Sequence, residues 1–565
     1  MLSFDSQSFW RGLSIASLIL ALSITPALGW QNGTGTATVA VKPAAALSAA
    51  ESDAAARVKV ETIREVTAAL SANEMAGRGT ATPGGERAAK YIADRFAKLG
   101  LKPLGDAGTY LQAVKFKSTQ VLPESSVKAG DATLKFGEDF VAAPFSIEQA
   151  DATGELVFVG YGVASPELKR DDFAGLDLKG KVVVVTGGSP KNVDEAAWKK
   201  ATSMQNRIIG LVPRGIAGII VTNIGSKEQP FATLADYLSR RSVGLAGAAT
   251  STPPFKLPPI ILASNEAAEK LFAGTGTTFA EALAKAESGE SVSRSLSKPA
   301  TISVRVSKEE AIGSNVAGVL EGADAKLKEQ AVIYTAHYDA YGTDAKGQIF
   351  PGAADNALGV AEIIAIAEAF TKSPQRPRRS VIFLAVTGEE HGLLGAKYWV
   401  NNPTWPIDKL VADLNFDGIG TEVYGPLKKI VGFGAEHSDL GATLDAVAAA
   451  TGNVLTPDPM PEERVFYRSD HIEFVRKGVP ALMLMGGPDL EEKAFVARIR
   501  KWLETDYHKP TDTIRPDWNW QGPRGIAVVG LVMGMRVANN EAPPAWLPSS
   551  PFNKARGAAA TPSAN

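Results

Sequence analysis

Short apolar runs in the C-terminal half of the chain alternate with stretches of helical periodicity. The runs are apolar over their whole length, which indicates strands buried on both faces of a parallel sheet. They cover 332–336, 381–386, 410–416 and 481–485. The helical stretches cover 357–370, a segment that begins near 393, and 440–450. This alternation predicts an α/β domain with a doubly wound, mostly parallel sheet.

The pattern differs in the N-terminal and middle parts of the chain. Val58, Ile63, Val66 and Leu70 recur at helical spacing, and a second amphipathic helix is predicted over about 86–99. From about 120 to 300, short β-type runs are separated by turns rich in Gly, Pro, Ser and Asp. These runs cover 155–159, 182–186, 218–222 and 260–262. They predict a separate, mainly β domain inserted into the α/β domain.

A charged residue before a short apolar run predicts an export signal at the N-terminus. Arg11 precedes the run 13–22, small residues follow it, and the run is shorter than a membrane span needs. We therefore expect a secreted protein, periplasmic or extracellular, with no stable membrane association. The predicted segments are a signal peptide (1–29), a linker (30–55), the first part of the α/β domain (56–118), the inserted domain (119–300), the rest of the α/β domain (301–541) and a disordered tail (542–565).

Composition excludes several classes of function. The 565 residues carry a formal net charge of −2 and no basic block, which argues against nucleic acid as a partner. The chain has no cysteine, so a thiolate nucleophile, a cysteine-ligated zinc site and a disulfide are all excluded. Its five histidines all lie between His337 and His508, which directs attention to that window.

Polar side chains follow three of the predicted strands at the point where each strand ends. His337 follows the first run, Glu389 and Glu390 follow the second through a Thr-Gly turn, and Asp417 follows the third. Ligands of open α/β sheets bind beyond the carboxyl ends of the strands, so we expect these side chains to lie close together. Imidazole nitrogen and carboxylate oxygen without sulfur suit zinc or a similar divalent ion.

The number of carboxylates exceeds what one tetrahedral ion needs, and a bridging carboxylate between two ions would use the surplus. Asp355, in a Gly-containing turn before the helix that begins near 357, is the natural bridge. Asp339 is placed to accept the second ring N–H of His337 and so to set its tautomer. Glu389 and Glu390 point to different sides, so one can bind metal while the other acts as a general base.

Taken together, these motifs resemble the M28 family of zinc metallopeptidases in order and spacing. The motifs are His337-x-Asp339, the turn from Gly352 to Gly359, Thr387-Gly388-Glu389-Glu390, Asn415-Phe416-Asp417 and Tyr507-His508, with Arg78-Gly79-Thr80 near the N-terminus. The resemblance covers roughly 56–118 and 301–540. It departs from the family at Leu358, where serine is common, beyond the ligand position.

The resemblance implies a site with two Zn²⁺ ions. His337 and Asp417 would hold one ion, Glu390 and His508 the other, and Asp355 would bridge them. Glu389 would be the general base, and the peptide bond after Asp355 would be cis. Tyr507 would either donate to the tetrahedral intermediate or serve packing. The middle region resembles a protease-associated (PA) domain through 177–185 and 215–220.

These inferences predict a secreted dizinc aminopeptidase that removes N-terminal residues from peptides. A zinc carboxypeptidase or dipeptidase of the same fold stays open, because Arg464, Arg468, Arg498 or Arg500 could bind a substrate carboxylate. A single-zinc glutaminyl cyclase and a non-catalytic binding module are further alternatives. Side-chain preference, oligomeric state and the metal loaded stay open.

Overall fold

The computed structural model describes most of the chain. The described ranges are 46–143, 149–225, 230–247, 257–344, 346–418, 420–488 and 491–553. The predicted export segment 1–29, residues 30–45 of the predicted linker and residues 554–565 of the predicted tail lie outside these ranges. The chain divides into two compact units, which we call the main unit (described residues of 46–116, 243–247 and 310–553) and the inserted unit (described residues of 117–242 and 257–309).

The strands of both units are numbered in chain order. They are β1 (Lys102–Pro103), β2 (Leu111–Val121), β3 (Ser126–Ala129), β4 (Ala132–Leu134), β5 (Phe140–Ala142), β6 (Ala150–Phe158), β7 (Ala164–Ser165), β8 (Arg170–Asp171), β9 (Val182–Thr186), β10 (Gly218–Thr222), β11 (Ser242–Leu245), β12 (Ile260–Ala263), β13 (Arg294–Val304), β14 (Val306–Leu320), β15 (Ala331–His337), β16 (Gly342–Thr343), β17 (Ile349–Phe350), β18 (Ser380–Val386), β19 (Leu410–Phe416), β20 (Lys429–Phe433), β21 (Val454–Thr456) and β22 (Ala481–Gly486).

The α-helices are numbered in the same way. They are α1 (Ala49–Ala56), α2 (Val60–Leu70), α3 (Pro83–Lys98), α4 (Glu195–Thr202), α5 (Met204–Leu211), α6 (Phe231–Ser239), α7 (Asn265–Phe272), α8 (Phe279–Glu287), α9 (Leu358–Lys372), α10 (Leu394–Asn401), α11 (Leu440–Ala450), α12 (His471–Arg476), α13 (Glu492–Thr505) and α14 (Gln521–Asn539). None of these described helices combines the length and the hydropathy needed to cross a membrane.

The main unit is built on a mixed sheet with a parallel centre. Its strand order is β11-β2-β14-β18-β15-β19-β22-β20-β21, with β1 paired to β14. The central strands β18, β15, β19 and β22 are parallel, while β14 and β20 flank them in the antiparallel direction. All four strands predicted from apolar runs are therefore present, and they form this parallel centre.

Alternate residues of the central strands belong to two different cores. In β15, Val332 and Tyr334 pack in one cluster with helices α2, α9 and α14, whereas Ala331 and Ile333 pack in a second cluster with Trp399 of α10. Because both faces are covered, each central strand is buried along its whole length. This is the doubly wound arrangement predicted from the continuous apolar runs.

The strand order reverses at β15. The chain leaves β15 for β18 on one side and then returns to β19 on the other side of β15. Such a reversal opens a crevice beyond the carboxyl ends of the strands, which is where open α/β sheets bind ligands. His337 is the last residue of β15 and therefore lies at this crevice.

The inserted unit is a mixed α/β structure, so its prediction as a mainly β domain was wrong. Its sheet has the order β4-β3-β13-β6-β9-β10-β12-β5, and β6, β9, β10 and β12 run parallel. Parallel neighbours need long crossover connections, usually helical. Helices α4 and α5 lie between β9 and β10 in the sequence, and α6 lies between β10 and β12. Their short amphipathic patterns were missed between the stronger strand signals.

Two segment boundaries also differ from the prediction. The last part of the predicted linker forms helix α1, whose N-terminus has a capping box between Ser48 and Glu51. Glu51 also accepts a hydrogen bond from Arg536 Nε of α14 at 2.7 Å. In the predicted tail, residues 542–553 are described, and Trp546 is 8% exposed in a cluster with Phe466. The buried indole and hydrogen bonds such as that from the Leu547 N–H to the carbonyl oxygen of His437 at 2.9 Å attach this segment to the fold.

Gly534 of α14 allows the helix to approach β15 closely. Tyr334 donates a hydrogen bond to the carbonyl oxygen of Gly530 at 2.8 Å, and a methyl group at Gly534 would overlap the Tyr334 hydroxyl. Although alanine usually stabilises a helix interior, we expect Gly534→Ala to lower the free energy of unfolding by about 1–3 kcal/mol through overpacking. Gly210→Ala is the control, because its added carbon would lie in ordinary contact with Phe173 at 3.5 Å. Chemical denaturation measures both, and a Gly534→Ala protein as stable as the control would contradict this packing.

Candidate metal centre

Three parallel strands bring the first group of polar side chains to one edge of the main sheet. His337 pairs in register with Val386 of β18, and Thr335 pairs with Asn415 of β19, so the strands end at similar heights. Asp417 follows the end of β19, and Glu389 and Glu390 occupy a helical turn after β18. The carboxyl ends therefore converge as predicted from the strand spacing.

Asp355 reaches the same edge from a wide helical turn, Ala353–Ala357, that precedes α9. The peptide bond between Asp355 and Asn356 is cis, as the resemblance implied. Asn356 fixes the turn from both sides. Its amide nitrogen donates to the carbonyl oxygen of Phe416 at 2.8 Å, and its side-chain oxygen accepts from the backbone N–H of Gly359 at 3.0 Å. Asp355 is thereby tied to the strand that ends beside Asp417.

The two oxygens of Asp355 belong to two different groups of candidate ligands. His337 Nε2 lies 3.2 Å from Asp355 Oδ1 and 3.4 Å from Asp417 Oδ1. His508 Nε2 lies 3.3 Å from Asp355 Oδ2 and 3.1 Å from Glu390 Oε2. Each group of three ligand atoms is compact enough to hold an ion, and Asp355 is the member common to both.

These residues fit a pair of zinc ions. Ligand atoms at about 2.0–2.1 Å around a tetrahedral ion lie roughly 3.3 Å apart. The distances from each histidine nitrogen to the two carboxylate oxygens of its group, 3.1–3.4 Å, match this spacing. His337 Nε2 is buried and has no hydrogen-bond partner among the described residues, although two carboxylate oxygens surround it. Asp355, Glu390 and Asp417 add three negative charges to this buried region, which two divalent cations would offset.

The carboxylates make this region strongly attractive to positive charge. Burial alone would lower the pKa of His508, but Glu390 and Asp355 raise it to about 9. Burial likewise opposes protonation of His337, yet Asp417 and Glu389 raise its pKa well above the usual range. Bound cations would supply the same electrostatic compensation without protonating the imidazoles.

Glu389 stands apart from both groups and faces a cleft. Its side chain is 13% exposed and its Oε2 lies 3.9 Å from His337 Nε2, whereas the neighbouring Glu390 side chain is 3% exposed. The two adjacent carboxylates therefore occupy different positions, as predicted. Burial raises the pKa of Glu389 well above its ordinary value, and Asp417 and Glu390 raise it further. A carboxylate with a raised pKa is suited to take a proton near neutral pH.

Asp339 lies between His337 and the segment that carries Glu389. His337 Nδ1 lies 3.2 Å from the backbone carbonyl oxygen of Asp339 and 3.7 Å from its carboxylate. The carboxylate also accepts hydrogen bonds from Thr80 Oγ1 at 2.8 Å and from the backbone N–H of Glu389 at 3.1 Å. It lies beside the His337 ring, as the sequence suggested, although the backbone carbonyl oxygen of the same residue is the nearer acceptor. Asp339 thus orients Glu389 through its backbone.

His508 is flanked by two tyrosines, one of which the sequence did not indicate. The ring of Tyr507 stacks on His508 with centroids 3.5 Å apart, and Tyr507 also lines the cleft. Burial raises the pKa of Tyr507 well above its ordinary value, so its hydroxyl keeps its proton. Tyr341 Oη lies 3.1 Å from His508 Nδ1. This contact can set the tautomer of His508. It could not be predicted from the sequence, because Tyr341 and His508 are 167 residues apart.

The other three histidines lie outside both ligand groups. His391 follows Glu390, and its ring lies 6.4 Å from that of Tyr341. His437 packs against the rings of Phe466 and Phe552. His471 is buried, and burial lowers its pKa to about 4. Of the five histidines, only the first and last of the window therefore belong to the candidate ligand groups.

A cleft of about 750 Å³, open to solvent, begins at the two ligand groups. Asp355, Glu389, Asp417 and Tyr507 contribute to its lining. Most of the remaining wall is apolar and comes from Phe433, Pro459, Met460, Val465, Met483, Met485, Ile499 and Leu503. The polar lining residues beyond the ligand groups are Asp458, Glu463, Arg468 and Ser469.

Sequence comparison connects the region that forms the site with a known family. Residues 315–529 match the model of Peptidase family M28, and this range includes all five candidate ligands and Glu389. A segment of 110 residues is 34% identical to a probable zinc metalloprotease from Leptosphaeria maculans, covering 19% of this chain and 25% of that protein. The chain aligns with less than two thirds of the length of the curated relatives it matches.

Solved structures share the fold over most of the chain. An aminopeptidase from Aneurinibacillus sp. strain AM-1 superposes with a TM-score of 0.54 at 19% identity, covering 86% of this chain and 96% of that one. The zinc aminopeptidase BSAP from Bacillus subtilis superposes with a TM-score of 0.53 at 18% identity, with the same coverage. The chain thus combines a match of residues 315–529 to Peptidase family M28 with a fold shared with these two solved aminopeptidases.

The shared position of Asp355 predicts unequal losses of metal. If each group of the wild-type protein holds one ion, Asp355→Ala removes a ligand from both groups and should leave less than one Zn²⁺ per chain. Asp417→Ala removes a ligand from one group only and should leave about one tightly held ion. Elemental analysis after dialysis against a weak chelator measures both variants. Equal zinc loss in the two variants would contradict the bridging position of Asp355.

Proposed function

We propose that the protein is a zinc-dependent aminopeptidase that holds two ions and removes N-terminal residues from peptides. The observation that carries this proposal is the division of Asp355, with Oδ1 in the His337 and Asp417 group and Oδ2 in the Glu390 and His508 group. The match of 315–529 to Peptidase family M28 supports the same class of reaction.

The chain's own residues supply proton transfer and orientation. Two zinc ions in these groups would lower the pKa of a water molecule and polarise the scissile carbonyl. Glu389, at the cleft and outside the ligand groups, takes a proton from the attacking water and delivers it to the leaving amine. Asp339 keeps Glu389 in place through the backbone N–H of Glu389. The Tyr507 hydroxyl donates to the oxygen that becomes negative in the transition state.

The charges around the cleft favour a substrate amine over a substrate carboxylate. Of the described residues that line the cleft, only Arg468 is basic, and Glu463 pairs with it at 3.2 Å. Asp458 contributes a further carboxylate to the wall. A carboxypeptidase needs an available cation for the C-terminal carboxylate of its substrate.

The other arginines considered from the sequence also have partners. Arg464 lies over the ring of Tyr467 and Arg498 over the ring of Tyr424, at 5.0 and 4.3 Å from the ring centroids. Arg500 pairs with Glu462 at 2.8 Å. None of these three arginines is among the described residues that line the cleft, which weighs against the carboxypeptidase and dipeptidase alternatives.

We further propose an exported protein whose inserted unit is a PA-like domain. The N-terminal apolar run supports export. The motifs at 177–185 and 215–220, which correspond to the entry into β9 and β10, support the PA-like assignment. Mass spectrometry of the N-terminus of the protein purified from the periplasm or medium tests export, since a signal peptide would be removed near residue 29.

Glu389→Ala should abolish most activity without emptying the metal site. General acid–base catalysis contributes typically 10²–10⁴-fold, so we expect kcat to fall by about that factor while zinc content stays unchanged. Glu462→Ala, which removes an exposed carboxylate that does not line the cleft, is the matched control and should keep wild-type turnover. Normal turnover by Glu389→Ala would contradict the assignment of Glu389 as the general base.

Free and N-blocked aminoacyl anilides distinguish the proposed direction of cleavage. We expect hydrolysis of free-amine substrates with large apolar side chains, because the cleft wall is apolar, and loss of that hydrolysis in a strong chelator. N-acetylated anilides should be cleaved at least 10-fold more slowly. Equal cleavage of blocked and free substrates contradicts an aminopeptidase, and preference for substrates with a free C-terminal carboxylate would favour the carboxypeptidase alternative.

A further inference from the structure

Arg78 is a buried cation that binds the backbone around two candidate ligands. It is 0% exposed, and its guanidinium donates to four carbonyl oxygens at 2.6–2.7 Å. The acceptors are Tyr338, Leu70, Pro351 and Gly352. Tyr338 follows the candidate ligand His337, and Gly352 precedes Asp355 by three residues. One side chain thus connects the end of β15 with the turn that carries Asp355.

The burial of this charge is costly and needs a compensating partner. Burial lowers the pKa of Arg78 to about 10, against the attraction of Asp512, Asp339, Asp355 and Glu390. The backbone of Arg78 also has a positive φ of 48°, which few non-glycine residues adopt. Such a conformation persists where surrounding contacts enforce it, and it is concentrated at functional sites.

Asp512 holds the same turn from the side of His508. Its carboxylate accepts hydrogen bonds from the backbone N–H groups of Ala354 at 2.9 Å and Asp355 at 3.1 Å. Its backbone carbonyl accepts from the N–H of Ala353 at 3.2 Å. Asp512 is buried and follows His508 by four residues. The turn is therefore bound by carbonyl acceptors to Arg78 and by N–H donors to Asp512.

Gly352 allows this arrangement. Its φ is +56°, and a side-chain carbon there would overlap the backbone carbonyl oxygen of Asp355 and lie 2.8 Å from both Arg78 Nη2 and the Ala340 side chain. A larger residue would therefore disturb the turn itself together with its contact to the guanidinium. The turn from Gly352 to Asp355 therefore both binds the Arg78 guanidinium and carries the Asp355 carboxylate.

We propose that Arg78 and Asp512 are positioning residues that hold Asp355 at the spacing required by both ligand groups and thereby set the affinity for zinc. Neither side chain is a candidate ligand, so both act through the backbone of the Asp355 turn. The inference rests on the proposed function only for the identity of the metal, because it concerns metal binding and not peptide cleavage.

Arg379 provides a matched control within the main unit. It is also 0% exposed, and it donates to the carbonyl oxygens of Val537 and Glu541, at 3.1 and 3.0 Å, and to Gln330 Oε1 at 2.8 Å. None of these acceptors lies in a ligand segment. Substitution at either position removes a buried guanidinium. Of these two arginines, only Arg78 binds the turn that carries Asp355.

The test measures zinc affinity of Arg78→Lys, Arg379→Lys and Asp512→Asn by competition of the metal-free proteins with a chromogenic chelator. Lysine cannot reproduce the planar fork that reaches four carbonyls, and asparagine has one acceptor oxygen where Asp512 uses two. We expect both Arg78→Lys and Asp512→Asn to bind zinc 10- to 100-fold more weakly. Arg379→Lys should lose thermal stability without a change in affinity. Asp512→Asn is nearly isosteric and keeps the test available if Arg78→Lys fails to fold.

Unchanged affinity in folded Arg78→Lys or Asp512→Asn overturns the inference, as does an equal loss in Arg379→Lys. Peptidase assays on the wild-type protein separate this result from the proposed function. If the wild type binds zinc and both Arg78→Lys and Asp512→Asn bind it more weakly, the inference holds even when no peptide is cleaved. If peptides are cleaved but the variants bind zinc normally, only the inference falls.

Discussion

The carboxylate of Asp355 is the constraint on which the candidate site depends. Its two oxygens lie 3.2 and 3.3 Å from imidazole nitrogens that belong to different ligand groups. Those histidines come from the end of β15 and from the segment after α13, so one carboxylate connects distant parts of the main unit. A small displacement of the Ala353–Ala357 turn would therefore change the distances between ligand atoms in both groups.

The surrounding fold restricts that displacement. The parallel strands β18, β15 and β19 place Glu390, His337 and Asp417 at one edge, while Asn356 ties the Asp355 turn to Phe416. Arg78 and Asp512 bind the same turn on its carbonyl and N–H groups. The proposed base Glu389 is held through Asp339, which lies two residues beyond the end of β15. The candidate ligands and the proposed base therefore depend on backbone hydrogen bonds as well as on their own side chains.

The sequence predicted the features that arise from strand periodicity and residue chemistry. Fully apolar runs located β15, β18 and β19, and polar residues just beyond them located His337, Glu389 and Asp417. The sequence did not predict the contacts that depend on tertiary geometry. The backbone carbonyl oxygen of Asp339 lies nearer to His337 than its carboxylate does, and the contact between Tyr341 and His508 joins residues 167 positions apart. The helices of the inserted unit were hidden because short helices have weak patterns beside strong strands.

Anomalous scattering from crystals of the zinc-loaded protein tests the central claim most directly. The account predicts two peaks at the zinc edge, about 3.5–4 Å apart, on opposite sides of the Asp355 carboxylate. One peak should lie beside His337 and Asp417, and the other beside Glu390 and His508. A single peak at full zinc loading, or two peaks of which one has no contact with Asp355, would contradict the account.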